Sequence, residues 1–174
     1  MSLPKLVVFD LDDTLWSPEM WLCAGPPFTK NNSTKAVCDR SGTEIQLIGA
    51  SREILHELAT NEKWRDSRVG YASRTDREDW ARECLQMIEV GDSITMDQVA
   101  RPLQEIFPGK KTTHFKNLHE TSRIPLADMI FFDNEHRNCK DVSALGVTCV
   151  YTPDGMTKRN WEEGLKTFAQ KKRS

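Results

Sequence analysis

No apolar run in this 174-residue chain approaches the length of a membrane span, and with 38% hydrophobic and 29% charged residues its composition is not that of a disordered chain. An excess of one charge is missing as well. The 24 basic and 26 acidic residues leave a formal net charge of −2, which argues against a sequence-independent grip on nucleic acid or on an anionic lipid surface. Any anionic ligand must be held locally. The five cysteines, Cys23, Cys38, Cys84, Cys139 and Cys149, are odd in number and include no Cys-x-x-Cys pair, so neither a disulfide framework nor a zinc site is expected. The thiols are read as reduced and mostly structural. No apolar leader or basic amphipathic segment comes before the first strand pattern, and the expected location is the cytosol. Repeats, low-complexity segments and dividing linkers are absent too. At a prior of about 150 residues per domain this leaves one domain, residues 1–174, able to bury about 70% of its unfolded surface. The faces of the tryptophans, and with them the oligomeric state, are not legible in the pattern.

What the chain does have is an alternation of short apolar runs with amphipathic stretches, which predicts an α/β fold with a parallel sheet covered by helices on both faces. The strand candidates are Leu6 to Phe9, Val69 to Ala72, Met129 to Phe132 and Val147 to Val150, apolar throughout as doubly covered strands should be. The helix candidates are Arg52 to Lys63, Asp76 to Ile88, His114 to Thr121, Arg137 to Ala144 and Lys158 to Gln170, the second opened by a capping box at Thr75 and Glu78. One region breaks the alternation. Between Phe28 and Ile48, Val37 to Arg40 and Glu44 to Leu47 flank Ser41-Gly42, which reads as a β-hairpin inserted after the first strand, either a flap over the mouth of the sheet or a plain surface hairpin.

The strongest chemical signal is Asp10-Leu11-Asp12-Asp13-Thr14, three carboxylates within four residues at the carboxyl end of the first strand, where open α/β sheets bind ligands. Such crowding is unfavourable unless a cation or a proton resolves it. A calcium loop is a poor fit, because its glycine and glutamate positions hold Leu15 and Trp21. Two carboxylates one residue apart suit nucleophilic catalysis: Asp10 would attack phosphorus and Asp12 would pass the proton to and from the departing and attacking oxygens. Mg2+ would need only Asp10 and one distant carboxylate, and Asp133, at the end of a second apolar strand, is the candidate, although an aspartate there can also simply cap the next helix. Phosphate donors are expected from Ser73, at the opening of a helix, from Arg74, and from Lys110 or Lys111 in the turn after Phe107-Pro108-Gly109. Arg74 and the lysine pair each have a plainer reading as solvated surface charges.

Rival phosphate chemistries fail residue by residue. There is no Gly-x-Gly-x-x-Gly, and a P-loop ending at Gly109-Lys110 would need glycine where Gln104 stands. None of the five cysteines is followed six residues later by the arginine of a cysteine phosphatase. His56-Glu57 starts like a zinc-protease helix but has Thr60 where the second histidine belongs.

The motifs Asp10 to Thr14, Ser73, Lys111 and Asp133, in that order, resemble those of the haloacid-dehalogenase superfamily of aspartate-nucleophile phosphotransferases, and in particular of a small, cap-less branch of it. The resemblance implies a Rossmann-like, haloacid-dehalogenase-like (HAD-like) three-layer parallel sheet with a small β-hairpin flap and no separate cap domain. It further implies a Mg2+-dependent phosphomonoester hydrolase acting on phosphotyrosine proteins or on phosphorylated sugar-amines. On matching positions it makes Asp10 the nucleophile and Asp12 the acid/base, and puts Asp10, Asp12 (through its main-chain carbonyl) and Asp133 at the metal. Leu11, Asp12, Ser73, Arg74 and Lys111 are then placed at the phosphate, with Thr14 and Asn134 in support. Two departures stand out. Asn134 replaces a second acid and would weaken the charge of the site, which keeps open a phosphate- or phosphoprotein-binding module with weak turnover, although such a module has no need of Asp12. Asp13 stands where an aromatic residue is common and is expected to support the loop through hydrogen bonds. Transfer of the phosphoryl group to an acceptor other than water would require a cap to exclude it, and a hairpin of about twenty residues is a poor one.

Overall fold

The computed structural model describes residues 2–174. In chain order the strands are β1 (Leu6–Phe9), β2 (Trp16–Ser17), β3 (Thr29–Lys30), β4 (Val37–Cys38), β5 (Glu44–Leu47), β6 (Arg68–Ser73), β7 (Glu89–Gly91), β8 (Ile94–Thr95), β9 (Gln104–Ile106), β10 (Met129–Asp133) and β11 (Thr148–Tyr151). The helices are α1 (Ser51–Thr60), α2 (Glu78–Met87), α3 (Met96–Ala100), α4 (Lys111–Ser122), α5 (His136–Ser143) and α6 (Lys158–Lys171). None of them is long and apolar enough to cross a membrane.

The main sheet is parallel, in the order β11-β10-β1-β6-β9. The chain builds outward from β1 through β6 to β9, then returns to the other side of β1 for β10 and β11. The order therefore reverses between β1 and β10, and that switch point opens a crevice at the carboxyl ends of the strands. Phe9 is level with both Phe132 and Tyr71, so Asp10 and Asp133, one residue on, emerge side by side.

The two-residue period of the strands divides the core. Val7, Phe9, Val69, Tyr71, Ile130 and Phe132 pack on one face with buried residues of α1, α2, α3 and α6. Leu6, Val8, Ala72, Met129 and Phe131 pack on the other with Phe115 and Leu118 of α4 and Val142 of α5. On the first face Phe9 and Phe132 stack at 5.4 Å between ring centres, and Trp161 of α6 lies 5.6 Å from Phe132. Gly164, one turn further along α6, allows this approach.

Several sequence expectations are adjusted. The capping box at Thr75 and Glu78 does not form: α2 begins only at Glu78 with Arg77 at its N-cap, and the Thr75 hydroxyl accepts instead from the Arg77 N–H at 3.1 Å. Ser73 is thus not at the opening of a helix, because residues 74–77 form an irregular turn that lines the crevice. A capping box does form at Thr95 and Gln98, heading the short α3. Helix α4 starts three residues earlier than expected, so Lys111 belongs to its first turn rather than to the loop. The edge strand β9 carries Gln104 and Glu105 and gave no apolar signal. The insertion at 28–48 is present, and its hairpin β4-β5 is widened by β2 and β3 into a four-stranded antiparallel sheet, β2-β5-β4-β3. All five cysteines are free thiols.

A Cβ on Gly164 would lie 2.9 Å from Val150 and 3.0 Å from the Phe132 ring. Gly164→Leu should therefore push α6 off β10 and β11 and cost about 1–3 kcal/mol, read as a lower urea midpoint with an unchanged slope.

Candidate active site

Beyond Phe9 the chain turns tightly, with the Leu11 carbonyl accepting from the N–H groups of Thr14 at 3.1 Å and Leu15 at 2.9 Å. Asp13 takes up φ +59° in this turn, a left-handed conformation that aspartate tolerates better than most residues, and its N–H donates to the Trp16 carbonyl at 2.8 Å. The expected loop support is thus supplied by the Asp13 main chain. Leu11 buries its side chain in the core, so only its main chain is available to a ligand. The turn directs Asp10 and Asp12 into one cavity of about 540 Å3, whose lining also includes Ser73, Arg74, Lys111 and Asn134.

A network of hydrogen bonds fixes the nucleophile candidate. Asp10 Oδ1 accepts from Lys111 Nζ at 2.8 Å, and Oδ2 accepts from the Thr14 hydroxyl at 3.0 Å. The same ammonium lies 3.2 Å from Asp133 Oδ2 and donates to the Ala72 carbonyl, so all three of its protons are engaged. Of the two candidate lysines Lys111 is the buried one, and Lys110 is exposed. Asp133 is wholly buried and is not the cap of α5, whose N-cap is Glu135: Oδ1 accepts from the Glu135 N–H at 2.7 Å and Oδ2 from Asn138 Nδ2 at 3.0 Å. Ser73 is buried, with its hydroxyl accepting from the Thr75 N–H at 3.3 Å. Arg74 is exposed on the rim and free to swing toward an anion.

Asn134 completes the floor. Its amide faces Asp10 Oδ2 at 3.0 Å, the Asp12 carbonyl at 3.2 Å and the Thr14 hydroxyl at 3.2 Å, and because the first two only accept, it is Nδ2 that points toward them. Among the described residues no cluster of three or more His, Cys, Asp or Glu side chains stands in metal-holding geometry. The available donors are instead a mixed set of hard oxygens: Asp10 Oδ2 and the Asp12 carbonyl, which converge on the Asn134 amide, and Asp133 Oδ1, which keeps a lone pair beyond the one used by Glu135. That set fits Mg2+, which takes one or two carboxylates and fills its octahedron with water and substrate oxygen.

Sequence reasoning missed several neighbours. Glu19 and Trp21 form one side of the mouth, and Asp76, Arg77, Glu135 and Asn138 lie elsewhere around it. Trp21 is 61% exposed and its indole N–H donates to Glu19. No residue of 28–48 lines this cavity, so the turn at 19–22, rather than the hairpin, borders it. His114 was also overlooked. Buried and stacked 4.1 Å from Phe107, it has Nε2 3.1 Å from the Ser73 carbonyl and Nδ1 2.9 Å from that of Lys110, clasping the Ser73 strand end to the start of α4.

One ammonium does not neutralise this many acids. Burial, joined by the Asp10 charge, pushes Asp133 up to about 7 despite its ion pair with Lys111. Burial would lower Lys111, but Asp10 and Asp133 more than offset it and hold its proton firmly. Burial also pushes Asp12 up to about 7, against the lowering effect of the Trp16 indole N–H at 2.7 Å from Oδ1. An acid raised in this way binds its proton more tightly in the folded than in the unfolded chain. Its stability contribution is therefore present below pH about 4 and is lost as pH rises through about 7. In EDTA, Asp12→Asn should melt near wild type at pH 4 and progressively above it as pH rises, by several degrees at pH 8; a gap that does not widen with pH would contradict the raised Asp12.

The chain matches the model of the acid phosphatase family over residues 2–171. It is 39% identical to magnesium-dependent phosphatase 1 of Homo sapiens over 97% of this chain and 89% of that protein. It is 36% identical to a HAD-like hydrolase superfamily protein of Schizosaccharomyces pombe over 85% of each. In fold it is similar to a haloacid dehalogenase-like hydrolase of Xanthomonas campestris, with TM-score 0.67, 16% identity and 99% of both chains covered. It is also similar to the phosphatase-containing N-terminal part of a Bacteroides fragilis protein, with TM-score 0.61, 16% identity, and 97% of this chain and 40% of that one covered. The Asp10 strand end, the buried Lys111 and the Asp133 strand end thus lie within a matched fold, and the chain belongs to the acid phosphatase family of the HAD-like hydrolases.

Proposed function

We propose that this protein is a Mg2+-dependent phosphomonoester hydrolase that works through an aspartyl-phosphate on Asp10. The observation that carries the reading is the pairing of two unlike carboxylates in one cavity. Asp10 is held by Lys111 and Thr14, while Asp12, two residues on, has its proton affinity raised into the neutral range. Environments that set two acids apart in this way assign the acid/base roles.

An oxygen of Asp10 attacks phosphorus, and the bond to the ester oxygen breaks as that oxygen takes the proton of Asp12. In the second half the Asp12 carboxylate takes a proton from water, whose oxygen attacks the same phosphorus, releasing inorganic phosphate and restoring Asp10. Lys111, Ser73, Arg74 and the main chain at Leu11 and Asp12 would meet the phosphoryl oxygens. Mg2+, held by Asp10, the Asp12 carbonyl and Asp133, would neutralise charge on the phosphoryl group.

The substrates we assign are phosphotyrosine proteins or phosphorylated sugar-amines. Supporting a bulky substrate are the open mouth, the exposed Trp21, on which an aromatic leaving group can stack, and the rim arginines Arg74 and Arg77. The relative from Homo sapiens that is named a magnesium-dependent phosphatase supports the metal. A cytosolic site of action agrees with five unpaired thiols.

Hydrolysis of 4-nitrophenyl phosphate should require Mg2+, stop in EDTA, and fall about a thousandfold or more in Asp10→Asn at matched folded concentration. A folded wild type without turnover at millimolar Mg2+ would favour the phosphate-binding alternative. Trp21→Ala should raise KM for an aryl phosphate about three- to tenfold while leaving that for a small alkyl phosphate nearly unchanged, since an aromatic pair contributes roughly 0.5–1.5 kcal/mol.

A further inference from the structure

Asn134 sits on the cavity floor where three oxygens converge. With the amide turned as its acceptor-only neighbours require, its nitrogen lies 3.0 Å from Asp10 Oδ2 and 3.2 Å from both the Asp12 carbonyl and Thr14 Oγ1. Two N–H groups are thus shared among three acceptors, one of them a carboxylate. The Asn134 main-chain N–H also donates to Thr14 Oγ1, at 3.1 Å, and that hydroxyl in turn donates to Asp10 Oδ2. The residue is tied in from both ends. Asp10 Oδ2 and the Asp12 carbonyl are also two of the oxygens assigned to Mg2+ above, and the inference rests on that assignment. A lone pair aimed at an amide hydrogen is not available to a cation, so amide and metal claim the same electrons.

The geometry points to Asn134 as an internal competitor for the metal. Its amide satisfies the ligand oxygens while the site is metal-free and has to withdraw before the cation can bind. The device has two effects of opposite sign. Without metal it relieves the crowding of Asp10, Asp12 and Asp133, groups that a single ammonium leaves under-neutralised. With metal it is a cost subtracted from binding, so Mg2+ occupancy follows the surrounding Mg2+ concentration instead of being permanently saturated. An acid at 134 would reverse both effects, adding charge to the metal-free site and attraction for the cation.

The test is calorimetric titration of MgCl2 into metal-stripped wild type, Asn134→Ala and Asn134→Asp, together with melting curves of all three in EDTA. The side chain is only partly buried, so both variants should fold. Removing the competitor should tighten Mg2+ binding by about tenfold in Asn134→Ala, the scale of one hydrogen bond to a charged acceptor, while lowering the metal-free melting temperature. Asn134→Asp should bind Mg2+ more tightly still and melt lowest in EDTA. Wild-type or weaker Mg2+ affinity in Asn134→Ala would overturn the inference, a weaker one identifying the amide as a metal ligand. Absence of Mg2+ binding by wild type and both variants would instead remove the magnesium assignment itself, and this inference with it.

Discussion

The site is organised around a deficit of positive charge. Lys111 is the one buried ammonium among Asp10, Asp12 and Asp133, and each of its protons is already taken. Burying a lysine is unfavourable unless its charge is matched, and here it is matched more than once over. The arrangement is stable only because other groups absorb the remaining negative charge: protons on raised acids, the hydroxyl of Thr14, the amides of Asn134 and Asn138, and the N–H of Glu135. A site short of cationic partners is suited to a divalent ion. The phosphoryl group is an anion and would deepen the deficit unless a cation accompanies it.

The sheet provides what this arrangement demands, which is rigid positioning of groups far apart in sequence. Residues 10, 73 and 133 stand at the ends of adjacent strands; the parallel register sets Asp10 level with Asp133 and puts Ser73 one residue beyond them. Lys111 comes from the first turn of α4, where its length lets it reach across from Ala72 to Asp133. The aromatic packing of Phe9, Phe132 and Trp161 lies directly beneath, so the strand ends carrying Asp10 and Asp133 share one support and cannot shift independently.

How much of this was legible in the sequence depended on whether a signal was local. Strands β1, β6, β10 and β11 are continuous apolar runs and could be read within a residue or so. Asp10, Asp12 and Asp133 could be read because each follows or closely trails such a run. Strand β9 could not, because an edge strand covered on few sides keeps polar residues such as Gln104 and Glu105. The Thr75 capping signal misled because a matching tetrapeptide does not determine where a helix starts when the backbone before it is drawn along a cavity. The residues alone left Lys110 and Lys111 open and only the family resemblance singled out Lys111, because the choice turns on which side of α4 faces the sheet. Trp21, His114 and Asn138 became relevant only through tertiary contact. Nothing in their neighbours distinguishes a tryptophan at a cavity mouth from one in the core.

The small sheet outside the main fold has a mechanical meaning that its position away from the cavity conceals. Strand β2 pairs with β5, placing Trp16 opposite Leu47, and the Ile48 N–H returns to the Leu15 carbonyl. The indole of that same Trp16 grips Asp12. The insertion therefore buttresses the turn that carries Asp12, and it does not line the cavity. A change at Leu47 or Ile48, which hold the Leu15–Trp16 segment, would thus be felt at the indole that bonds Asp12.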